Sequence, residues 1–164
     1  MTIELAKFLI TNILPSAFKE GQSEIMNKFG IFLIDDMVEY LGYEVLQVEW
    51  FQFANILARF SQEKSCVLRQ AACYGLGIFA ESTPAGVMNA ETLQNYLTSL
   101  INAAKIPKGT EKEKSYGHCK DNAVAAVGKF IKIHSEAVDI RTYIASWFSF
   151  MPLRHDKPEA ITQH

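Results

Sequence analysis

The chain contains the same helical pattern twice, 51 positions apart. Residues 67–79 form one continuous helical pattern rich in small and apolar side chains, and residues 120–130 repeat the end of it. Gly77 of the first segment falls on Gly128 of the second. Repetition at such a period is typical of solenoids, whose single repeats cannot bury their apolar faces alone. The pattern therefore predicts stacked helices that present a recognition surface, and it argues against an enclosed catalytic pocket.

Composition places the chain among globular proteins. It has 164 residues, of which 49% are hydrophobic and 21% charged, as is typical of one folded domain. A net charge of -2 provides no basic field for nucleic acid or an anionic membrane. The longest uncharged stretch, 92–104, is too short to span a bilayer. Because Glu4 and Lys7 lie inside a helical pattern, no signal peptide is expected.

Three cysteines bear on the cellular compartment. Cys66, Cys73 and Cys119 have no metal-binding spacing. Cys66 and Cys73 would lie roughly 10 Å apart on one helix, which is too far for a disulfide. We expect reduced thiols that pack as small apolar side chains, in the cytosol or the nucleus.

Helical periodicity extends along the whole chain, and no run alternates with period two. It predicts an all-α fold with helices at about 3–14, 25–41, 45–60, 65–82, 89–104, 118–134 and 139–150, and a helix start at 156–160. Ser65 and Asn89 are predicted to cap helices, and Gly42 to end one. Segment 105–117 contains four lysines and is predicted to be a flexible insert. Its lysines suit an acidic partner, although interleaved acids favour a solvated loop.

The fourth and sixth predicted helices are apolar on all sides, which predicts burial between layers, whereas the third and fifth are amphipathic outer helices. Glycine within a helix costs about 1 kcal/mol relative to alanine. Gly75, Gly77 and Gly128 are therefore predicted to permit close helix packing. Residues 75–80 also fit a loose dinucleotide-binding fingerprint, but that motif requires a preceding strand.

Other side chains suggest chemistry, and each has a simpler structural interpretation. The adjacent acids Asp35 and Asp36 point about 100° apart on a helix, so a solvated or ladder-forming face is favoured over a cation site. Cys119 with His118 and His134 could form a thiol-imidazole pair. No orienting partner is evident, so a packed cysteine and surface histidines are favoured.

Four segments occur in a characteristic order: Phe-Leu-Ile-Asp-Asp-Met-Val-Glu at 32–39, Leu-Arg-Gln-Ala-Ala-Cys-Tyr-Gly-Leu-Gly at 68–77, Ala-Val-Gly-Lys at 126–129, and Trp-Phe-Ser-Phe-Met-Pro-Leu-Arg-His-Asp-Lys at 147–157. Together they resemble the HEAT repeats of the importin-β (karyopherin-β) family of nuclear transport receptors. Within that family the branch of importin five, or karyopherin beta three, is the most similar. The resemblance covers residues 25–164, except for 105–118.

The resemblance implies a right-handed α-solenoid of about three HEAT repeats plus the start of another. It implies a single domain, 1–164, cut from a longer receptor that shuttles between cytoplasm and nucleus. The parent would bind cargo proteins, the GTPase Ran and phenylalanine-glycine nucleoporins, with no catalysis, cofactor or metal. In the family, the main Ran and cargo contacts lie in repeats that this chain lacks. Cut ends would expose apolar surface and favour self-association.

The resemblance also suggests roles for individual residues. Glu63 and Arg69, six positions apart across a turn, would form a structural ladder of the kind found in HEAT repeats. Trp147, Phe148 and Phe150 could form a pocket for phenylalanine-glycine repeats, although core packing is favoured.

Two other classes of protein remain open at this point. A HEAT scaffold of the phosphatase regulatory type would share the helical pattern but not segment 147–157. A small helical enzyme would require ionisable residues that converge in a pocket, and the sequence offers none.

Overall fold

The computed structural model describes residues 2–110 and 112–163. These residues form helices and turns without any strand, so the all-α prediction is confirmed. A single 3-10 turn, Ser135–Ala137, follows the seventh helix. The α-helices are α1 Ile3–Asn12, α2 Leu14–Ala17, α3 Glu24–Leu46, α4 Trp50–Phe60, α5 Cys66–Ser82, α6 Ala90–Lys105, α7 Glu113–His134, α8 Arg141–Ser149 and α9 Lys157–Gln163.

Side-chain caps fix the starts of three long helices. The Ser65 hydroxyl accepts the backbone N–H of Leu68 at 3.5 Å, and the Asn89 carbonyl oxygen accepts that of Thr92 at 2.8 Å. Ser23 caps α3 in the same way. Such bonds satisfy donors that the first turn of a helix leaves unpaired. The predicted caps at Ser65 and Asn89 are confirmed.

Helix α3 extends beyond Gly42, the residue at which it was predicted to end. Gly42 does break the helix, with φ 72° and ψ 177°, but helical backbone resumes and continues to Leu46. Residues 45–46 therefore belong to α3, and α4 begins at Trp50, five residues later than predicted. Glycine tolerates this positive φ because it has no Cβ, so the chain kinks at this residue and returns to helical backbone after it.

Part of the predicted insert, 105–117, is helical. Lys105 ends α6 and residues 113–117 begin α7, so the connection between the two helices is shorter than predicted. The lysines and glutamates of this segment are good helix formers. No capping side chain is bonded at Lys112 to mark where α7 begins.

The long helices have a regular order of neighbours. Helix α5 packs between α3 and α7, and α9 packs against α7, so these four helices follow one another side by side. Helix α4 packs on α5 and α6 on α7, while α6 also contacts α4 and α8. Helix α5 is the most enclosed, because twelve of its 17 residues are buried.

An aromatic cluster joins the helices at their centre. The ring of Phe79 on α5 lies 5.1 Å from Trp50 and 5.8 Å from Tyr96, measured between ring centroids. Phe130 of α7 contacts both Phe79 and Tyr96. The Trp50 indole donates to the Thr83 hydroxyl at 2.9 Å, so the buried N–H has a partner. Helices α4, α5, α6 and α7 thus each contribute one aromatic ring to a cluster centred on Phe79.

Gly75 lies where α5 crosses α3. A Cβ at this position would overlap Oδ1 of Asp35 and lie 3.0 Å from Cδ1 of Leu57. The absence of a side chain therefore allows a carboxylate of α3 to sit against the backbone of α5.

Gly77 and Gly128 lie against different neighbours. A Cβ on Gly77 would be 3.3 Å from Cδ of Lys129 on α7. A Cβ on Gly128 would overlap the amide of Gln163 and lie 3.1 Å from Nε1 of Trp147. The two positions that align in the repeat thus face different helices.

None of the helices in the described residues has the length and hydropathy required to cross a lipid bilayer.

Candidate partner-binding groove

The surface opens into a groove between α3, α5 and α7, with a volume of about 370 Å³. We call it the α3–α5–α7 groove. Its lining residues come from all three helices and from the turn before α9: Lys28, Phe32, Val67, Gln70, Ala71, Tyr74, Asn122 and Asp156. All three helices line the groove, so it depends on the packing of α5 between α3 and α7.

Large apolar side chains remain exposed on two walls of the groove. Phe32 of α3 is 46% exposed, and Tyr74 and Val67 of α5 are 43% and 40% exposed. Val67 and Tyr74 are seven positions apart, so they lie on the same face of α5. The Lys28 ammonium lies 5.1 Å from the centre of the Phe32 ring. Such a combination of accessible apolar area and adjacent charge is typical of protein-binding surfaces.

Acidic side chains of α3 follow this apolar surface along the helix. Asp36 and Glu39 are exposed, whereas Asp35 is 5% exposed, and both of its oxygens lack a hydrogen-bond partner among the described residues. Burial, followed by the charges of Asp36 and Glu39, raises the pKa of Asp35 well above its usual value. Partial burial and the nearby Glu39 also raise the pKa of Tyr74. The predicted solvated or ladder-forming face is solvated at Asp36, whereas Asp35 is buried and neither of its oxygens has a hydrogen-bond partner among the described residues.

Lys129 of α7 connects its helix to two neighbours. Its Nζ lies 3.2 Å from a carboxylate oxygen of Glu81 on α5 and 3.0 Å from one of Glu159 on α9. Burial alone would lower the pKa of Lys129, but the hydrogen bond and charge of Glu159, aided by Glu81, reverse this effect and raise it. Lys129 is therefore held as a cation between two carboxylates.

The end of the groove is shaped by two carboxylates near α9. Oδ2 of Asp121 accepts the backbone N–H groups of three successive residues, 154–156, at 2.6–2.9 Å. Asp156 accepts the Asn122 amide at 2.6 Å, and its Oδ1 accepts the N–H of Glu159 in the first turn of α9. Bonds to an ionised acceptor are strong. Asp121 thus fixes the turn that presents Asp156 to the groove.

The predicted ladder between Glu63 and Arg69 takes another form. One guanidinium nitrogen of Arg69 donates to the backbone carbonyl of Glu63 at 2.7 Å and to that of Lys64 at 3.2 Å. The Glu63 side chain is exposed. The contact with this turn is made through the main chain, because the carbonyl groups of Glu63 and Lys64 accept from the buried side chain of Arg69.

The cysteines depart from the expectation of purely apolar packing. Cys66 and Cys119 are buried, and each sulfur accepts a hydrogen bond from Arg69. Cys73 is also buried. The sequence gives no signal of this arrangement, because Arg69 and Cys119 are 50 positions apart.

The sequence predicts that His118 and His134 both lie at the surface, and this is wrong for His134. His134 is buried, and its Nε2 lies 2.9 Å from the carbonyl oxygen of Ala80. His118 is partly buried, with Nδ1 3.8 Å from a carboxylate oxygen of Asp156. The Cys119 sulfur accepts a hydrogen bond from Arg69 at 3.1 Å.

The aromatic residues after α7 do not share one pocket. The Trp147 indole is partly buried and donates to the carbonyl of Val124 at 3.1 Å. Phe148 is exposed, and the Phe150 ring packs beneath the Lys120 ammonium at 5.2 Å. Trp147 and Phe150 line separate cavities.

Within residues 2–110 and 112–163, no group of three histidine, cysteine, aspartate or glutamate side chains is arranged to hold a metal ion. No protein-family model matches the chain.

Proposed function

We propose that this chain is a protein-binding segment of an importin-β-type nuclear import receptor. Its activity is binding, without catalysis or a cofactor. The observation that carries the binding role is the α3–α5–α7 groove, where three helices leave apolar side chains open beside charged ones. The importin-β assignment depends on the four sequence segments named above, of which 147–157 is the most specific.

The proposed architecture is a right-handed α-solenoid of about three HEAT repeats plus the start of another. It is supported by the order of neighbours, because α3, α5, α7 and α9 follow one another while α4, α6 and α8 pack beside them. Helix α3 with α1 and α2, the pair α4–α5 and the pair α6–α7 would each form one repeat, and α8 with α9 would be the start of another. In such a stack each repeat contacts only its neighbours, and the row of inner helices forms a continuous binding surface.

The groove suits an extended or helical segment of a partner protein. Apolar partner side chains would pack on Phe32 and Val67, and a lysine or arginine would face Asp36 and Glu39. In the parent receptor, partners of this kind would be cargo proteins and phenylalanine-glycine nucleoporins. Ran would be bound mainly by other repeats, so this chain alone is expected to bind Ran weakly or not at all.

Fluorescence anisotropy with labelled peptides tests the proposal. Phenylalanine-glycine repeat peptides and lysine-rich peptides are titrated with the purified chain. We expect saturable binding that Phe32→Ser or Tyr74→Ser weakens by about 1–2 kcal/mol, the scale of an interface anchor. Phe148→Ser is the matched control, because it removes an exposed aromatic ring that does not line the groove.

Two outcomes would contradict this assignment. Equal affinity of the wild type and both groove variants would exclude the groove as the binding surface. Tight, nucleotide-dependent binding of Ran to this chain would contradict the expectation that the principal Ran contacts lie in other repeats.

A further inference from the structure

A buried guanidinium joins α5 to α7 through two cysteine sulfurs. Arg69 is 1% exposed, its Nε donates to Sγ of Cys119 at 3.1 Å, and its Nη2 donates to Sγ of Cys66 at 3.2 Å. The third nitrogen, Nη1, donates to the backbone carbonyl groups of Glu63 and Lys64 in the preceding turn. One side chain thus connects two helices and a turn.

The geometry of arginine brings the two sulfurs together. Nε–H and Nη2–H lie on one edge of a planar group and point in the same direction, as in a bidentate pair with a carboxylate. Sγ of Cys119 and Sγ of Cys66 are therefore bonded to adjacent nitrogens of one guanidinium, one sulfur from each helix. A disulfide requires two sulfurs that can approach to about 2.05 Å.

The charge of Arg69 also favours reaction at these two sulfurs. A cation within hydrogen-bond distance favours the thiolate over the thiol, and the thiolate is the nucleophile. Cys73 has a different environment. Burial, followed by the charge of Cys119, raises the pKa of Cys73 well above its usual value, although Arg69 opposes the shift. Burial therefore disfavours the thiolate of Cys73.

We propose that Cys66 and Cys119 form an oxidisable dithiol site, at which a peroxide converts the pair into a disulfide that links α5 to α7. The thiolate of one cysteine attacks a peroxide oxygen, and the O–O bond breaks to give a sulfenic acid and hydroxide, which takes up the proton released by the thiol and becomes water. The second sulfur then attacks the sulfenic sulfur, an S–S bond forms, and a second water leaves. The two thiols lose two electrons and two protons, and one hydrogen peroxide becomes two waters.

Disulfide formation would change the contacts of Arg69. It removes two acceptors from the guanidinium and leaves its bonds to the turn between α4 and α5. Val67 and Gln70 flank Arg69 in the sequence and line the α3–α5–α7 groove. The dithiol site therefore lies behind one wall of that groove. A small uncharged oxidant reaches such sulfurs through local opening of the helix ends.

Peptide mass spectrometry tests the site directly. The intact chain is treated with hydrogen peroxide, quenched, alkylated, unfolded and digested. We expect a peptide linked through Cys66 and Cys119, with Cys73 recovered as a thiol that is alkylated only after unfolding. Cys73→Ala is the matched control and should form the same disulfide at the same rate. Cys119→Ala should form none and should accumulate the sulfenic acid of Cys66.

A rate comparison tests the role of Arg69. Arg69→Lys retains a positive charge but lacks the planar fork that bonds both sulfurs, and it should slow disulfide formation on the order of tenfold. Circular dichroism of the variant establishes that it is folded. Failure of the native chain to form the disulfide, under peroxide conditions that oxidise the urea-unfolded chain, would overturn the proposal. So would a disulfide that includes Cys73.

Discussion

Asp35 is a buried carboxylate for which the described residues supply no hydrogen-bond donor. In the unfolded chain it ionises at its ordinary pKa, whereas in the folded chain it ionises only at a higher pH. Between these two values the folded protein holds one more proton than the unfolded protein. The free energy of unfolding therefore falls as pH rises through this window, and this group adds no further change above it.

Replacing Asp35 by asparagine should stabilise the protein at neutral pH. Asparagine has nearly the same shape and cannot ionise, so it removes the cost of a buried charge. We expect Asp35→Asn to raise the free energy of unfolding in urea by about 1–3 kcal/mol at pH 7, and the gain to vanish near pH 4. Asp36→Asn changes an exposed neighbour and should stay within about 0.5 kcal/mol of the wild type. A loss of stability in Asp35→Asn at pH 7 would show that a donor reaches the carboxylate.

Gly75 and Gly77 lie on the same helix, and replacing each by alanine should have different effects on the free energy of unfolding. Alanine at 75 would overlap Asp35 and press on Leu57, whereas the methyl group of alanine at 77 would lie 3.3 Å from Cδ of Lys129 and 3.6 Å from Cβ of Ala126. Overpacking costs about 1–3 kcal/mol, and better helix propensity returns up to about 1 kcal/mol. We expect Gly75→Ala to lower the free energy of unfolding by about 1–2 kcal/mol net, and Gly77→Ala to change it much less. An unchanged free energy of unfolding in Gly75→Ala would contradict the close approach of Asp35 to the backbone of α5.

The success of sequence-based prediction for individual elements depended on local signals. The starts of the helices capped by Ser65 and Asn89 were predicted correctly because a cap is a local feature of the sequence. The starts of α4 and α7 were misplaced, and neither the residue before Trp50 nor Lys112 makes a side-chain capping bond. Where the boundary has no capping bond, periodicity alone extends or shortens a helix by several residues.

The groove was less predictable because its parts are distant in sequence. Asp121 bonds residues 154–156 across more than 30 positions, and one sequence offers no signal of such a pairing. The burial of Asp35 was also missed, because it depends on the crossing of α3 with Gly75. The sequence did identify the correct helices, since small and apolar residues on all sides predicted that α5 would be enclosed.

At the scale of elements, Asp121 should determine whether α9 stays attached. Removing its carboxylate leaves three backbone N–H groups at 154–156 without their acceptor. Hydrogen bonds to charged groups contribute about 1.5–3 kcal/mol, so Asp121→Ala should speed amide exchange across residues 153–163 and leave α5 protected. Asp139→Ala removes an exposed aspartate that bonds only a local N–H, and it should not affect α9. Unchanged exchange at 153–163 in Asp121→Ala would mean that other contacts hold α9.

At the scale of the whole molecule, apolar surface is exposed on the first and last helices. On α1, Phe8 is 56% exposed and Leu5 is similarly open, while Ile161 on α9 is 82% exposed. In a stack of repeats, such faces are normally covered by a further helix or replaced by polar side chains. Contiguous apolar patches on a protein surface favour association.

We therefore expect the chain to self-associate as its concentration rises, chiefly through α1. Sedimentation velocity should show a weight-average coefficient that increases with concentration. The double variant Leu5→Glu with Phe8→Glu should sediment as a monomer, because burying two carboxylates in an apolar contact costs several kcal/mol. Lys7→Glu changes an exposed polar residue of the same helix and should associate like the wild type. If the wild type remains a strict monomer at high concentration, the exposed face of α1 is too small or too mobile to bind a second copy, and the peptide-binding experiments then concern a monomeric groove.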